Sequence, residues 1–214
     1  MIIPKPPKHT LDVPGFNNQI HLENLEKFAK TIPKNSKVLE IGCAFGGSTW
    51  ALMNGLPKGC KLHVCDTFEM NNLNLKQRHY NGMMAKHSHN PSVVYALTLY
   101  MEKDHRTVFE YCVSQHPRYF ELHKKTHAKK SLEVLNKDNK WDMVYIDGHH
   151  SYSTVIKELE YLNGTKYLCG DDYHPAHEGT MKAVDEFLTD GRYNFEHDDF
   201  KTNSGFWKME LKDG

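Results

Sequence analysis

Short apolar runs separated by amphipathic segments recur along the chain. Val38, Leu39 and Ile41 form the first run, which is typical of a buried parallel strand. Further strands are predicted at residues 61–65, 119–125, 141–146, 166–170, 193–196 and 205–211. Helical periodicity is found at residues 21–30, 100–115, 131–135, 151–162 and 181–188. Serine caps are predicted at Ser131 and at Ser151 or Ser153. The alternation predicts a doubly wound, mostly parallel seven-stranded α/β sheet, and the last two strands predict a C-terminal antiparallel hairpin.

The length of 214 residues suits a single domain, which we expect to span residues 1–214. Residues 1–35 are predicted to form an irregular arm, rich in Pro and Lys, and then one helix. Residues 70–118, between the second and third strands, are too long for a simple crossover. The part at 70–90 is rich in Asn and is expected to be mobile. A lid or substrate loop and a variable surface excursion are both compatible with this insertion.

A glycine-rich turn follows the first strand. Gly42, Gly46 and Gly47 end the apolar run, and Ser48 or Thr49 is predicted to cap the next helix. Such a turn binds a nucleotide-like ligand, because the glycines admit the ligand and the helix start offers free N–H groups. An ordinary strand-to-helix turn has the same pattern, so the neighbouring residues must decide between the two.

The residues around the turn narrow the class of ligand. Ala44 stands at the second glycine position of the dinucleotide fingerprint, which disfavours a nicotinamide enzyme. Glu40 completes the run E-x-G-x-x-x-G-G-S, which resembles motif I of the class I S-adenosylmethionine-dependent methyltransferases. In that family the acidic residue and the glycine loop hold the methionine end of the cofactor. Asp66 ends the second strand about 20 residues after Gly46, where a ribose hydroxyl is held.

Further motifs extend this resemblance. D-T-F-E from Asp66, I-D-G-H-H-S-Y, G-D-D-Y and K-A-V-D-E-F together resemble the macrocin-type sugar O-methyltransferases and relatives labelled cephalosporin hydroxylases. The resemblance covers roughly residues 36–70 and 118–190 and implies a Rossmann-like methyltransferase fold. The cofactor-binding residues that it implies are Glu40, Gly42, Cys43, Ala44, Gly46, Ser48, Asp66, Thr67, Phe68, Ser131 and Asp147.

Three carboxylates follow two predicted strands. Asp147 ends the fourth strand, and Asp171 and Asp172 end the fifth. Clustered carboxylates repel unless a cation or proton intervenes, and oxygen-rich clusters favour Mg²⁺, Ca²⁺ or Mn²⁺. The resemblance implies that these three residues bind a divalent metal, for which we expect Mg²⁺. It also implies a general base just beyond the first of them, where His150 is our first choice and His149, which replaces the usual aspartate, the second.

The expected function is methyl transfer from S-adenosylmethionine to a hydroxyl of a small acceptor, sugar-like or natural-product-like, with help from the metal. A metal-dependent oxygenase is one alternative, because the carboxylates and the abundant histidines would suit it. A cofactor-binding module without catalysis is another, because the substitution at His149 could mark lost activity.

Composition excludes some partners. Acidic and basic residues balance at 27 each, so no charge excess points to nucleic acid, and no apolar run is long enough to span a membrane. The five cysteines lack CxxC spacing and are expected to be reduced packing residues of a cytoplasmic protein. The N-terminus lacks an apolar stretch of signal-peptide length. The expected partner is the small-molecule acceptor, and a homo-oligomer is compatible with the sequence.

Overall fold

The structure, a computed structural model, describes residues 5–137 and 140–213. Its strands are β1 Lys37–Ile41, β2 Lys61–Asp66, β3 His123–Ala128, β4 Met143–Ile146, β5 Tyr167–Gly170, β6 Tyr193–His197 and β7 Trp207–Leu211. Its α-helices are α1 Gln19–Ala29, α2 Gly47–Gly55, α3 Leu73–His87, α4 Pro91–Glu102, α5 His105–Ser114, α6 Tyr119–Leu122, α7 Ser131–Leu135, α8 Tyr152–Tyr161 and α9 Glu178–Phe187. The predicted arm is described from residue 5 onward, and residues 1–4 lie outside the described part.

The strands form one sheet in the order β3-β2-β1-β4-β5-β7-β6. Strands β1 to β5 pair in parallel, whereas β7 pairs antiparallel with both β5 and β6. The predicted doubly wound sheet with a C-terminal antiparallel hairpin is therefore confirmed. The strand order reverses beside β1, and ligands of such sheets bind outside the carboxyl ends of the strands at that point.

Helices cover both faces of the sheet. Val38, Val64 and Tyr145 belong to the core under α1, α2, α4 and α5. Leu39 and Ile41 belong to the opposite core, under α7, α8 and α9. Because successive strand residues point to opposite faces and both faces are covered, β1 is buried at four of its five positions.

The carboxyl ends of the central strands are tied together. The Gly42 amide donates to the Cys65 carbonyl at 2.8 Å, and the Asp147 amide donates to the Ile41 carbonyl at 2.7 Å. A Cβ atom on Gly42 would lie 2.0 Å from the Asp147 carbonyl oxygen, and Gly42 has a φ of +80°. Only glycine fits at position 42, and its small size allows the glycine turn to contact the backbone of Asp147.

The Asn-rich segment between β2 and β3 is helical. Asn72 accepts hydrogen bonds from the amides of Asn74 and Leu75 and begins α3. Asn90 does the same for the first turn of α4. Asparagine is a preferred N-cap as well as a loop residue, so the same composition that predicted a polar loop marks two helix starts. The mobility of residues 70–90 stays a prediction.

The third strand begins later than residues 119–125 predict. Residues 119–122 form α6, in which the Leu122 amide donates to the Arg118 carbonyl at 3.0 Å, and β3 starts at His123. Leu122 is fully buried and turns the chain into the strand. A short run that mixes Tyr119, Phe120 and Leu122 with polar residues does not distinguish a helical turn from a strand by its periodicity.

All five cysteines are free and buried, as the sequence predicts for packing residues. Within residues 5–137 and 140–213, no helix is long and apolar enough to cross a membrane.

Candidate active site

The Asp66 carboxylate holds the glycine turn in place. Its Oδ2 accepts from the Cys43 amide at 3.0 Å and the Ala44 amide at 3.3 Å. Its Oδ1 accepts from the Phe68 amide at 2.8 Å. The Cys43 thiol also donates to Oδ2 at 3.6 Å, whereas Oδ1 accepts only from the Phe68 amide among the described residues and keeps a lone pair for a hydroxyl donor. Asp66 therefore organises the turn, and its role toward a ribose stays a prediction.

Backbone strain gathers at this edge of the sheet. Ala44, Phe68 and Asp172 are non-glycine residues with φ values of 44°, 54° and 63°. Such conformations cost about 1–3 kcal/mol each and are found preferentially at functional sites. The His105 Nε2 atom lies 2.7 Å from the Ala44 carbonyl oxygen, so it carries a proton and donates. His105 is fully buried and braces the turn from α5.

Glu40 binds the helix that follows the turn. The carboxylate is fully buried and accepts from the Ser48 hydroxyl at 2.5 Å and the Thr49 hydroxyl at 2.6 Å. Neither hydroxyl caps α2, whose N-cap is Gly46, so that prediction is wrong. Both residues lie inside the first turn of α2, past the N-cap position, and their hydroxyls donate inward to the buried acid. Burial raises the pKa of Glu40 to about 8.

Ser131 is likewise occupied by a buried acid. Its hydroxyl donates to Glu158 on α8, whereas Lys130 is the N-cap of α7, so the predicted serine cap is wrong. Burial raises the pKa of Glu158 to about 7. Ser151 is the N-cap of α8, but its hydroxyl donates to Thr154 and makes no capping bond. Contact of Ser131 with the cofactor stays a prediction.

The three predicted carboxylates meet at the ends of β4 and β5. Asp147 Oδ2 accepts from the Tyr145 hydroxyl at 2.9 Å and from Asn17 Nδ2 at 3.1 Å. Asp171 Oδ2 accepts from Asn17 Nδ2 at 2.6 Å, and its Oδ1 accepts from the Asp172 amide at 2.6 Å. Burial, with the neighbouring charge of Asp171, raises the pKa of Asp147 to about 7.

A fully buried histidine of α1 lies beneath the carboxylates. His21 Nδ1 is 3.3 Å from Asp171 Oδ1 and 3.0 Å from the Ser204 carbonyl oxygen, and Nε2 is 2.8 Å from the Tyr145 hydroxyl. Burial opposes protonation of this imidazole, but the Asp171 charge outweighs it, and the pKa of His21 is raised. Although burial opposes it, the same contact with His21 lowers the pKa of Asp171.

The two candidate bases differ in their surroundings. His150 Nδ1 makes a close hydrogen bond to Asp172 Oδ2, and its side chain is 49% exposed. The bond to Asp172 raises the pKa of His150. The ring of His149 instead accepts from the Ser151 amide at 3.2 Å and is exposed. The structure therefore brings His150, but not His149, into the carboxylate cluster.

The sequence model of a protein family described as a methyltransferase domain matches residues 39–168. The chain belongs to this family. The resemblance to class I S-adenosylmethionine-dependent methyltransferases is thereby confirmed, and the protein is an enzyme of that class. No curated protein matches the sequence.

Solved structures share the fold of this methyltransferase at low sequence identity. An O-methyltransferase from Bacillus cereus in complex with SAH is 13% identical, with a TM-score of 0.55, over 96% of this chain and 84% of that one. A cofactor-bound protein from MTB is 12% identical, with a TM-score of 0.60, over 92% and 82%. The O-methyltransferase TomG from Streptomyces achromogenes, with SAM, is 13% identical, with a TM-score of 0.50, over 92% and 81%.

Among the described residues of this methyltransferase, His150 joins two of the three predicted metal ligands in a group of converging donor atoms, and ligation of a metal by Asp147, Asp171 and Asp172 stays a prediction. One atom each from Asp147, His150 and Asp172 lie within 4.8 Å of one another. The oxygens of Asp171 are instead held by Asn17, His21 and the Asp172 amide. Two carboxylates and one imidazole form a set that Mg²⁺ or Mn²⁺ can occupy, although nitrogen favours the transition metal.

Several residues around the site of this methyltransferase were not found from the sequence. Tyr145 carried a signal, because it lies two positions before Asp147 on one strand and so faces the same side. His177, whose Nε2 is 3.3 Å from Asp172 Oδ1, lies only five positions beyond it. Asn17 and His21 carried none, because no short-range pattern links an N-terminal arm to the ends of β4 and β5.

Proposed function

We propose that this protein transfers a methyl group from S-adenosylmethionine to a hydroxyl group of a small acceptor. The observation that carries the proposal is the hydrogen-bonded pair of His150 and Asp172, which stands at the same sheet edge as the glycine turn. Two structures that share the fold are named O-methyltransferases and hold SAH or SAM, which supports the choice of hydroxyl and cofactor.

The glycine turn is the proposed cofactor site. The left-handed residues Gly42, Ala44 and Gly46 shape the turn that leads into α2, and the first amides of a helix have no helical partners. Asp66 Oδ1 keeps a lone pair for a ribose hydroxyl while the carboxylate holds the turn. The cofactor supplies an electrophilic methyl group, so the protein must align the acceptor and receive its proton.

His150 is the proposed proton acceptor. Its Nδ1 is engaged by the Asp172 carboxylate, which keeps the proton on that nitrogen and leaves the Nε2 lone pair free. Half of the side chain is exposed, so an acceptor hydroxyl can reach it. As the acceptor oxygen bonds to the methyl carbon, the carbon–sulfur bond breaks and Nε2 takes the hydroxyl proton.

A divalent cation on Asp147 and Asp172 fits the donor set and is proposed to assist. Bound there, it would lower the pKa of the acceptor hydroxyl and orient it. His150 Nε2 can serve as a ligand or as the base, but not as both, and we assign it the role of the base. The oxygenase alternative is not favoured, because the converging set of Asp147, His150 and Asp172 has one histidine where the oxygenase triad needs two.

The test is release of S-adenosylhomocysteine across a panel of sugars, phenols and other small alcohols, with Mg²⁺ or with excess chelator. We expect turnover with at least one hydroxylated acceptor. His150→Ala should lower the rate by about 10²- to 10⁴-fold, the usual contribution of a general base. His149→Ala, one position away and outside the cluster, is the matched control and should stay active.

Two results would contradict the proposal. Cofactor binding without turnover on any acceptor would favour a binding module. Equal rates for His150→Ala and the unmodified protein would show that His150 is not the base. Full turnover in excess chelator would show only that the cation is not needed.

A further inference from the structure

The N-terminal arm and the start of α1 reach the carboxylate cluster. Asn17 lies in the arm and His21 in the first turn of α1, more than 120 positions before Asp147 in the sequence. Asn17 is half-buried and His21 is fully buried. Neither residue belongs to the glycine turn or to the His150–Asp172 pair.

These residues close a ring of hydrogen bonds. Asn17 Nδ2 donates to both Asp147 and Asp171, and His21 joins Asp171 to the Tyr145 hydroxyl. The Tyr145 hydroxyl donates to Asp147 and completes the ring. Each carboxylate is therefore held by two side-chain donors, which fixes its orientation.

The ring divides the carboxylate oxygens into two groups. Asp147 Oδ2 and both oxygens of Asp171 are used by donors of the protein. Among the described residues, no donor contacts the second oxygen of Asp147, and the oxygens of Asp172 contact only the partly exposed rings of His150 and His177. Donor atoms of Asp147, His150 and Asp172 converge to within 4.8 Å. Asp171 is thus the member of the acidic set that is most occupied inside the protein.

We infer that Asn17 and His21 are positioning residues, which fix the Asp147 and Asp171 carboxylates by this ring, and that Asp171 supports the cation site without ligating the cation. The inference rests on the cation of the proposed function. Partners that orient metal ligands in this way contribute about 10- to 100-fold to metal affinity.

Asn18 offers a control that distinguishes the positioning of the carboxylates from a general anchoring of the N-terminal arm. It follows Asn17 and has the same side chain, but its Oδ1 accepts from the His21 amide as the N-cap of α1. Its Nδ2 donates to the Thr202 and Asn203 carbonyls, and within the described part of the chain its side chain makes no hydrogen bond to a carboxylate. Asn18→Ala therefore disturbs the arm without removing a donor from Asp147 or Asp171.

The test is titration of the full chain with Mn²⁺ alone, followed by electron paramagnetic resonance, together with urea unfolding of each variant. Asn17→Ala should weaken Mn²⁺ binding about 10- to 100-fold while its unfolding midpoint stays near that of the unmodified protein. Asn18→Ala should lower the unfolding midpoint and leave Mn²⁺ affinity unchanged. Asp172→Asn should abolish binding, whereas Asp171→Asn should weaken it no more than Asn17→Ala does.

Each other outcome has a distinct meaning. If the unmodified protein binds Mn²⁺ and Asn17→Ala binds equally well, the positioning role is overturned and the proposed function stands. If Asp171→Asn abolishes binding as Asp172→Asn does, Asp171 is a ligand and the assignment fails. If the unmodified protein does not bind Mn²⁺, the cation is no longer part of the proposed function, and this inference is overturned as well.

Discussion

Glu40 makes the stability of the protein depend on pH. Burial raises its pKa from the ordinary 4.5 to about 8, so the folded protein keeps a proton that the unfolded chain releases in this range. Raising the pH from 4.5 to 8 therefore favours unfolding, and above 8 the contribution is constant. Asp147 and Glu158, each with a pKa of about 7, act in the same direction.

Glu40→Gln should flatten this dependence. The carboxamide cannot ionise, so the variant should lose less unfolding free energy between pH 5 and 8, by up to about 1.4 kcal/mol per pH unit. Urea unfolding at several pH values measures the slope, and Glu69→Gln at an exposed site controls for the loss of one carboxylate. Parallel curves for Glu40→Gln and the unmodified protein would contradict the assignment.

Replacement of glycine by alanine should have opposite effects on stability at Gly42 and at Gly82. A Cβ on Gly42 would meet the Asp147 backbone at 2.0 Å, whereas one on Gly82 in α3 would meet nothing within 4 Å. Gly42→Ala should lower the unfolding free energy by more than about 1 kcal/mol, and Gly82→Ala should raise it by about 0.4–1 kcal/mol. Urea unfolding of both variants is the measurement, and a neutral Gly42→Ala would show that the strand ends are not in contact.

At the scale of elements, α3 and α4 differ in how firmly they are held. Among the described residues, α3 buries only Lys76 and Met83, and Leu73 at its start is 67% exposed. Helix α4 buries five residues, including Val93, Leu97 and Tyr100. Few buried side chains mean easy local opening, so α3 is better suited than α4 to move as a lid.

Hydrogen exchange tests this difference. Amides of α3 should exchange faster than those of α4 in the free protein, and they should slow when cofactor and acceptor are both bound. Helix α4 serves as the internal control in the same sample. Full protection of α3 without ligand would mean that it is a fixed part of the domain and not a lid.

Strands and helices with strong periodicity could be predicted from the sequence. The roles of the side chains at their ends were harder to predict. The apolar run of β1 predicted a buried strand because Leu39 and Val38 face two different cores. Ser48 and Ser131 were predicted as caps because serine is a common N-cap. Each is instead bound to a buried glutamate, Glu40 or Glu158, and a contact with a distant acid leaves no local pattern.

At the scale of the whole molecule, the sheet order explains why so much of the site was accessible from the sequence. Asp66, Asp147 and Asp171 lie at or just after the ends of β2, β4 and β5, and parallel strands end at one edge. The topology therefore gathers these acids. Asn17 and His21 reach the same edge through the packing of the arm and α1, which only the folded chain shows.

The most direct test of the account is calorimetric titration of the protein with S-adenosylmethionine, since it needs no knowledge of the acceptor. The unmodified protein should bind, and Asp66→Ala should lose about 1.5–3 kcal/mol of binding free energy, as for a hydrogen bond to a charged group. Glu69→Ala, at an exposed site three positions on, is the matched control. Absence of binding to the unmodified protein, or unchanged affinity in a folded Asp66→Ala variant, would contradict the placement of the cofactor at this edge.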